Sequence, residues 1–160
     1  MPGSTVTIWT IGYEGLSLEQ FLELLKANGV EHLVDIREAP ISRKVGFAKA
    51  ALSEAVERAG IRYSHVRALG CPKPIRDRHK ETGDWGRYTR DFKIYLAGQD
   101  QALAQLRATV AAARTCLLCY EADYNRCHRT FIAEAIRGDG DEIRHIAVKP
   151  PSPQSELNLA

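Results

Sequence analysis

The run Val6-Thr7-Ile8-Trp9-Thr10-Ile11-Gly12, followed after four residues by Ser17-Leu18-Glu19-Gln20, decides the fold class. The first stretch is β-branched and aromatic and stops at a glycine, which predicts a strand. The second matches a capping box, in which the Ser17 hydroxyl accepts from the backbone while Gln20 reaches back. Leu18, Phe21, Leu22 and Leu25 then recur at i, i+3, i+4 and i+7, one apolar face of a helix ending near Gly29.

The same alternation continues outward. His32 to Ile36 reads as a second strand, and Leu52, Ala55, Val56 and Ala59 as a helix closed by Gly60. Ile61 to His65 reads as a third strand. Residues 66–85 read as a long connection punctuated by Pro and Gly, with Cys71-Pro72-Lys73-Pro74 least compatible with a helix. Two helical patterns split at Gly98 follow: Tyr88, Phe92 and Tyr95, then Leu103, Leu106, Val110 and Ala113. Thr115 to Tyr120 is a fourth, apolar strand, a helix is expected from about Arg126 to Ile136, and Ile143 to Val148 is a last strand. The pattern predicts one α/β domain over residues 1–149, a three-layer sandwich with a mostly parallel sheet of about five strands flanked by helices. A C-terminal tail, 150–160, is expected to lack regular structure.

The 160 residues carry 22 Lys and Arg against 20 Asp and Glu, so a formal charge of +2 supplies no global pull toward nucleic acid or membrane. At 44% hydrophobic and 26% charged, the chain is not a disordered one. No apolar run reaches the roughly 18–20 residues that span a bilayer, and Met1-Pro2-Gly3-Ser4 lacks signal-peptide character, so a cytoplasmic protein without membrane contact is expected. The four cysteines, Cys71, Cys116, Cys119 and Cys127, are then expected as thiols rather than a disulfide framework.

Ligands of open parallel sheets bind beyond the carboxyl ends of the strands. Strand one delivers Tyr13 and Glu14 there; strand two delivers Asp35, Arg37, Ser42 and Arg43; strand four delivers Cys119, Glu121 and Asp123 to Arg129. The candidate catalytic residues are Glu121, Cys127, His128 and Asp35, and the candidate substrate-binding residues are Tyr13, Arg37, Ser42, Arg43 and Arg129. With Asp123 or Asn125 as N-cap, Cys127 and His128 would sit in a first helical turn, where the dipole favours a thiolate. The alternative is that Cys127 packs inward in register with Phe131 and Ala135. Glu121 leaves an apolar strand, which suits a partly desolvated general acid or base. Asp35 and Arg37, two apart, form either a site or a local ion pair.

A zinc site built from Cys116-x-x-Cys119 with Cys127 and His128 is not expected, because strand positions three apart point to opposite faces; neither metal nor cofactor is assigned. A thiol-phosphatase loop from Cys119 to Arg126 is rejected, since Glu121 and Asp123 would repel phosphate. Glu14 and Glu19 likewise weaken a phosphate cradle at Gly12-x-x-Gly15. The stretch 72–93 holds seven basic against four acidic residues with Trp85 and Tyr88 interleaved, suited to nucleic acid or simply to a solvated loop.

Thr10-Ile11-Gly12, Asp35-Ile36-Arg37-x-x-Pro40-x-Ser42-Arg43, Phe47, Gly60-Ile61-x-Tyr63, Leu69-Gly70, Leu118-Cys119-x-Glu121 and Cys127-His128-Arg129 together form a recognisable set. The set resembles the prokaryotic family called domain of unknown function 488, over about residues 7–137. Tyr13 stands where that family more usually has His, Ser or Thr, and Cys71 where a second Gly is common. The resemblance implies a small α/β fold and the same polar edge, but no established reaction. Three functions follow as expectations: an enzyme at this edge acting on an anionic, nucleotide-like or nucleic-acid-like substrate; a non-catalytic nucleotide or nucleic-acid binding module; and a thiol-based metal or redox sensor.

Overall fold

A computed structural model describes residues 5–147. Five strands, β1 (Thr7–Gly12), β2 (His32–Asp35), β3 (Arg62–His65), β4 (Thr115–Cys119) and β5 (Glu142–Ile146), form one sheet in the order β3-β2-β4-β1-β5. Every pairing is parallel. The central strands β2 and β4 are buried along their whole length, whereas the edge strands β3 and β5 keep partly exposed residues. The expected last strand thus starts one residue earlier, and its predicted end, Val148, lies outside the described residues.

Helices α1 (Leu18–Ala27) and α2 (Lys49–Arg58) cover one face through Phe21, Leu25, Leu52 and Val56. The other face is covered by α4 (Trp85–Leu96), α5 (Asp100–Ala112) and α6 (Arg129–Ile136), with α3 (Lys73–Thr82) packed on α4. The capping box is present at α1: Ser17 Oγ accepts from Gln20 N at 3.1 Å and Ser17 N donates to Gln20 Oε1 at 2.9 Å.

Helix α3 corrects the reading of 66–85 as loop. Its two prolines sit at the N-cap and in the first turn, where a missing N–H costs nothing, and Gly83 ends it in the left-handed region at φ 66°. No residue of α3 is fully buried, so it carries no apolar stripe for periodicity to detect. Among the described residues no helix is long and apolar enough to cross a membrane.

Because β1 and β2 lead to helices on one face and β4 leads to α6 on the other, the chain leaves the sheet in opposite directions at the end of β4. Two glycines let the loops close over this point. A Cβ on Gly12 would lie 1.7 Å from the Glu121 carbonyl oxygen, and one on Gly70 would lie 2.2 Å from Glu38 N. Backbone bonds from Tyr13 N to the Cys119 carbonyl (3.2 Å) and from Ile36 N to the Leu118 carbonyl (3.1 Å) tie the three strand ends together.

Candidate functional site

At the end of β2, Arg37 lays its guanidinium on Asp35 as a two-pronged pair, Nε to Oδ1 at 2.8 Å and Nη2 to Oδ2 at 2.6 Å. Arg37 Nη1 donates to the Phe47 carbonyl at 2.7 Å and to the Tyr13 hydroxyl at 3.3 Å. The Tyr63 hydroxyl on β3 donates to Asp35 Oδ2 at 2.6 Å. Burial works to lower the Arg37 pKa, but the hydrogen bond and charge of Asp35 outweigh it and hold the guanidinium above its ordinary value. Burial, then Asp35, pushes the Tyr63 hydroxyl up. Asp35, Arg37 and Tyr13 therefore meet in one buried network, in which the Arg37 fork is engaged by protein groups. Ser42 and Arg43 lie apart on the following loop: Ser42 Oγ accepts from Lys44 N at 3.1 Å, and Arg43 is exposed with no ion pair among the described residues.

The segment after β4 differs from its expected shape. Asp123 Oδ1 accepts from Asn125 N at 2.9 Å and caps a short 3-10 turn over Tyr124–Arg126. Cys127 is extended, with φ −138° and ψ 142°, and α6 begins at Arg129 with His128 as its N-cap. Cys127 and His128 thus precede the first helical turn that the sequence pattern assigned to them, and the helix-dipole argument for Cys127 falls. Cys127 is 1% exposed, as its inward alternative requires, while Ala135 is exposed.

That inward turn brings Cys127 Sγ against Cys119 Sγ, with their Cα atoms 7.7 Å apart. The two sulfurs are in contact, while Cys71 and Cys116 stand apart from them as free thiols. Linear spacing could not show it, because the contact joins a strand end to the approach of a helix. Cys116 packs with Leu118 in the α1–α2 core and Cys119 in the opposite one, as strand alternation requires.

Two side chains frame the sulfurs. His128 Nε2 lies 2.8 Å from the Ile36 carbonyl, an acceptor only, so Nε2 carries the proton and Nδ1 the lone pair. That Nδ1 faces Cys127 Sγ at 3.9 Å. Arg129, 0% exposed, donates from Nη1 to Cys119 Sγ at 3.1 Å and to the Glu121 carbonyl, from Nε to Thr10 Oγ1 at 3.0 Å, and from Nη2 to the Ala122 carbonyl at 3.3 Å. No carboxylate pairs with it among the described residues. Thr10 Oγ1 in turn lies 2.6 Å from His145 Nδ1. Burial pushes the Arg129 pKa down.

Glu121 stands half-buried beside this cluster. Burial raises its carboxyl pKa, against smaller opposing effects of its own backbone N–H and Arg129. Burial also pushes the nearby Cys71 thiol up to about 11. Arg76 there donates to Glu38 at 2.7 Å. In the 72–93 stretch the aromatic rings turn inward, Trp85 stacking on Tyr88 at 4.6 Å, while Lys73 pairs with Asp77 and Arg78 with Asp91.

Cys119, Thr10 and Tyr63 belong to these networks and are absent from the sequence-predicted site residues. The signal for Cys119 was its place at a strand end eight residues before Cys127. The ligating atoms of Cys119, Cys127 and His128 lie within 4.8 Å of one another, a group able to hold a metal ion.

Acid should loosen this arrangement. Burial lowers the pKa of His128 to about 4 and also lowers those of His32 and His145. The unfolded chain takes up these protons first, so stability present above pH 6.5 is lost as pH falls toward 4, by on the order of 3 kcal/mol for His128. Urea melts between pH 8 and 4, with chelator, should show the decline. A flat profile would mean these imidazoles are charged at little cost.

The family model "Domain of unknown function DUF488" matches residues 17–136. No curated protein and no solved structure matches the chain.

Proposed function

We propose that this chain, which belongs to the DUF488 family of unknown function, works through a redox-active sulfur pair, Cys119 and Cys127, at the carboxyl edge of its sheet. The observation that carries the reading is Arg129. A fully buried guanidinium without a carboxylate partner calls for a nearby anion, and the ionisable side chain it touches is the Cys119 sulfur. A thiolate at Cys119 would supply that charge, and the thiolate is the form that exchanges with disulfides. Oxidation joins the two sulfurs with loss of two protons and two electrons. A disulfide of a small thiol takes these up and leaves as two free thiols. The site then senses, or passes on, the oxidation state of a thiol pool.

The test is alkylation under denaturing conditions followed by mass measurement. Protein equilibrated with an oxidised small thiol should expose two alkylatable cysteines, Cys71 and Cys116, and fully reduced protein should expose four. Cys119→Ser should remove the internal pair. Four alkylatable thiols at every redox poise would defeat the reading.

A second reading is favoured by Glu121, whose carboxyl has a raised pKa and accepts no side-chain hydrogen bond among the described residues. It is an enzyme with Glu121 as acid or base and an anionic, nucleotide-like substrate. Arg37 and Arg129 are turned to internal partners, so the exposed Arg43 and Arg126 would meet that substrate. Glu121→Gln would abolish turnover in this reading and leave the redox behaviour of the sulfur pair intact.

A further inference from the structure

We infer that the reduced site binds one divalent ion of the zinc class through Cys119 Sγ, Cys127 Sγ and His128 Nδ1. The inference rests on the sulfur-pair reading only in using the same two thiols. Its first support is convergence: three buried donors from the end of β4 and the approach to α6 lie within 4.8 Å of one another. This set departs from the zinc site that the sequence argued against only by omitting Cys116, which strand alternation turns to the opposite core.

The second support is the histidine. An imidazole that ligates a metal commonly donates its other ring N–H to a carbonyl or carboxylate, which fixes both tautomer and ring direction. His128 is held in this way by the Ile36 carbonyl, and its lone pair is turned toward the sulfurs. Packing on the Phe92 ring, edge to face at 5.4 Å, restrains it further.

The third support is the backbone span. Disulfides usually close Cα separations of about 4.4–6.8 Å, and this pair stands at 7.7 Å. A backbone span this wide suits two thiolates held apart better than two sulfurs bonded to each other. An ion ~2.3 Å from each sulfur would hold them wider apart than they stand here. Binding replaces the two thiol protons, which go to solvent. The ion and two thiolates are together neutral, so Arg129 leaves the cluster with one net positive charge. Three protein donors leave one tetrahedral position open. The buried charge makes a small anion, such as a thiolate, hydroxide or carboxylate, the preferred fourth ligand.

The experiment uses reduced, chelator-stripped, full-length protein titrated without oxygen with cobalt(II), an optical stand-in for zinc. The expected result is one equivalent bound, with sulfur-to-cobalt charge-transfer bands and tetrahedral visible bands, both removed by one equivalent of zinc. The bands should vanish in Cys119→Ser, in Cys127→Ser and in disulfide-oxidised wild type, and persist in Cys116→Ser. His128→Ala should weaken binding by more than the roughly 10–100-fold that loss of an outer-sphere partner costs. If a serine variant fails to fold, oxidised wild type is the control without ligands. No sulfur-to-cobalt band in reduced wild type, with Cys119 and Cys127 shown to be alkylatable, overturns the metal site and leaves the redox reading standing. Bands that survive Cys127→Ser, or disappear in Cys116→Ser, overturn the ligand assignment. A pair that never closes under oxidant sinks the redox reading alone.

Discussion

Arg37→Ala is expected to destabilise the folded protein by roughly 3–5 kcal/mol, the range for removing one partner of a buried pair. The deletion strands Asp35, which is 0% exposed and keeps only the Tyr63 hydroxyl and the Arg37 backbone N–H as donors. It also leaves the Phe47 carbonyl without its 2.7 Å donor. Asp35→Leu should cost a similar amount by stranding the guanidinium. The double variant Asp35→Leu/Arg37→Met should recover much of the loss, because neither charge then remains buried alone. Urea melts of wild type, Asp35→Leu, Arg37→Met and the double variant close the cycle. Additive losses, or an Arg37→Ala protein as stable as wild type, would show that the pair is not coupled and would return Arg37 to the ligand-binding candidates.

Arg129→Lys is expected to lose roughly 1–3 kcal/mol and to do more harm than Arg129→Met. The guanidinium is a planar fork that reaches Thr10, Cys119, Glu121 and Ala122 at once, and a lysine ammonium is a compact donor on a flexible stem. Lysine therefore keeps the buried charge while leaving the half-buried Glu121 and the exposed Ala122 carbonyls without their donors, at up to about 1–3 kcal/mol for the one shielded from water. Methionine leaves the same carbonyls unmet but sheds the cost of burying a cation. Thermal melts should rank the proteins wild type, Met, Lys. A well-tolerated lysine would mean that charge alone, rather than the fork, is what the site requires. Both variants should also slow exchange at Cys119, since each removes the donor 3.1 Å from its sulfur.

Several parts of this molecule could be read along the chain. The strand at Val6 to Gly12, the Ser17–Gln20 capping box, the α/β alternation and the opposed directions of Cys116 and Cys119 all follow from local periodicity and short-range hydrogen bonding. The family followed from motifs such as Asp35-Ile36-Arg37 and Cys127-His128-Arg129. The proximity of Asp35 to Arg37 was legible too, because residues two apart at a strand end share a face. Whether that proximity meant a binding site or an internal pair was not, since burial is set by what the rest of the chain places above it.

Only the tertiary structure decided three things. Helix α3 has no apolar stripe, and its place depends on its proline-led first turn, on Gly83 and on its packing against α4. The Asp123-capped turn competes locally with an earlier start to α6, and the burial of Cys127, His128 and Arg129 over the strand ends accompanies the later start. The meeting of Cys119, Cys127 and His128, with Ile36 and Thr10 behind them, depends on β4 lying between β2 and β1. Periodicity reports which face a side chain takes. It cannot report which strands are neighbours, because that order is settled by long-range burial of both faces of the sheet at once.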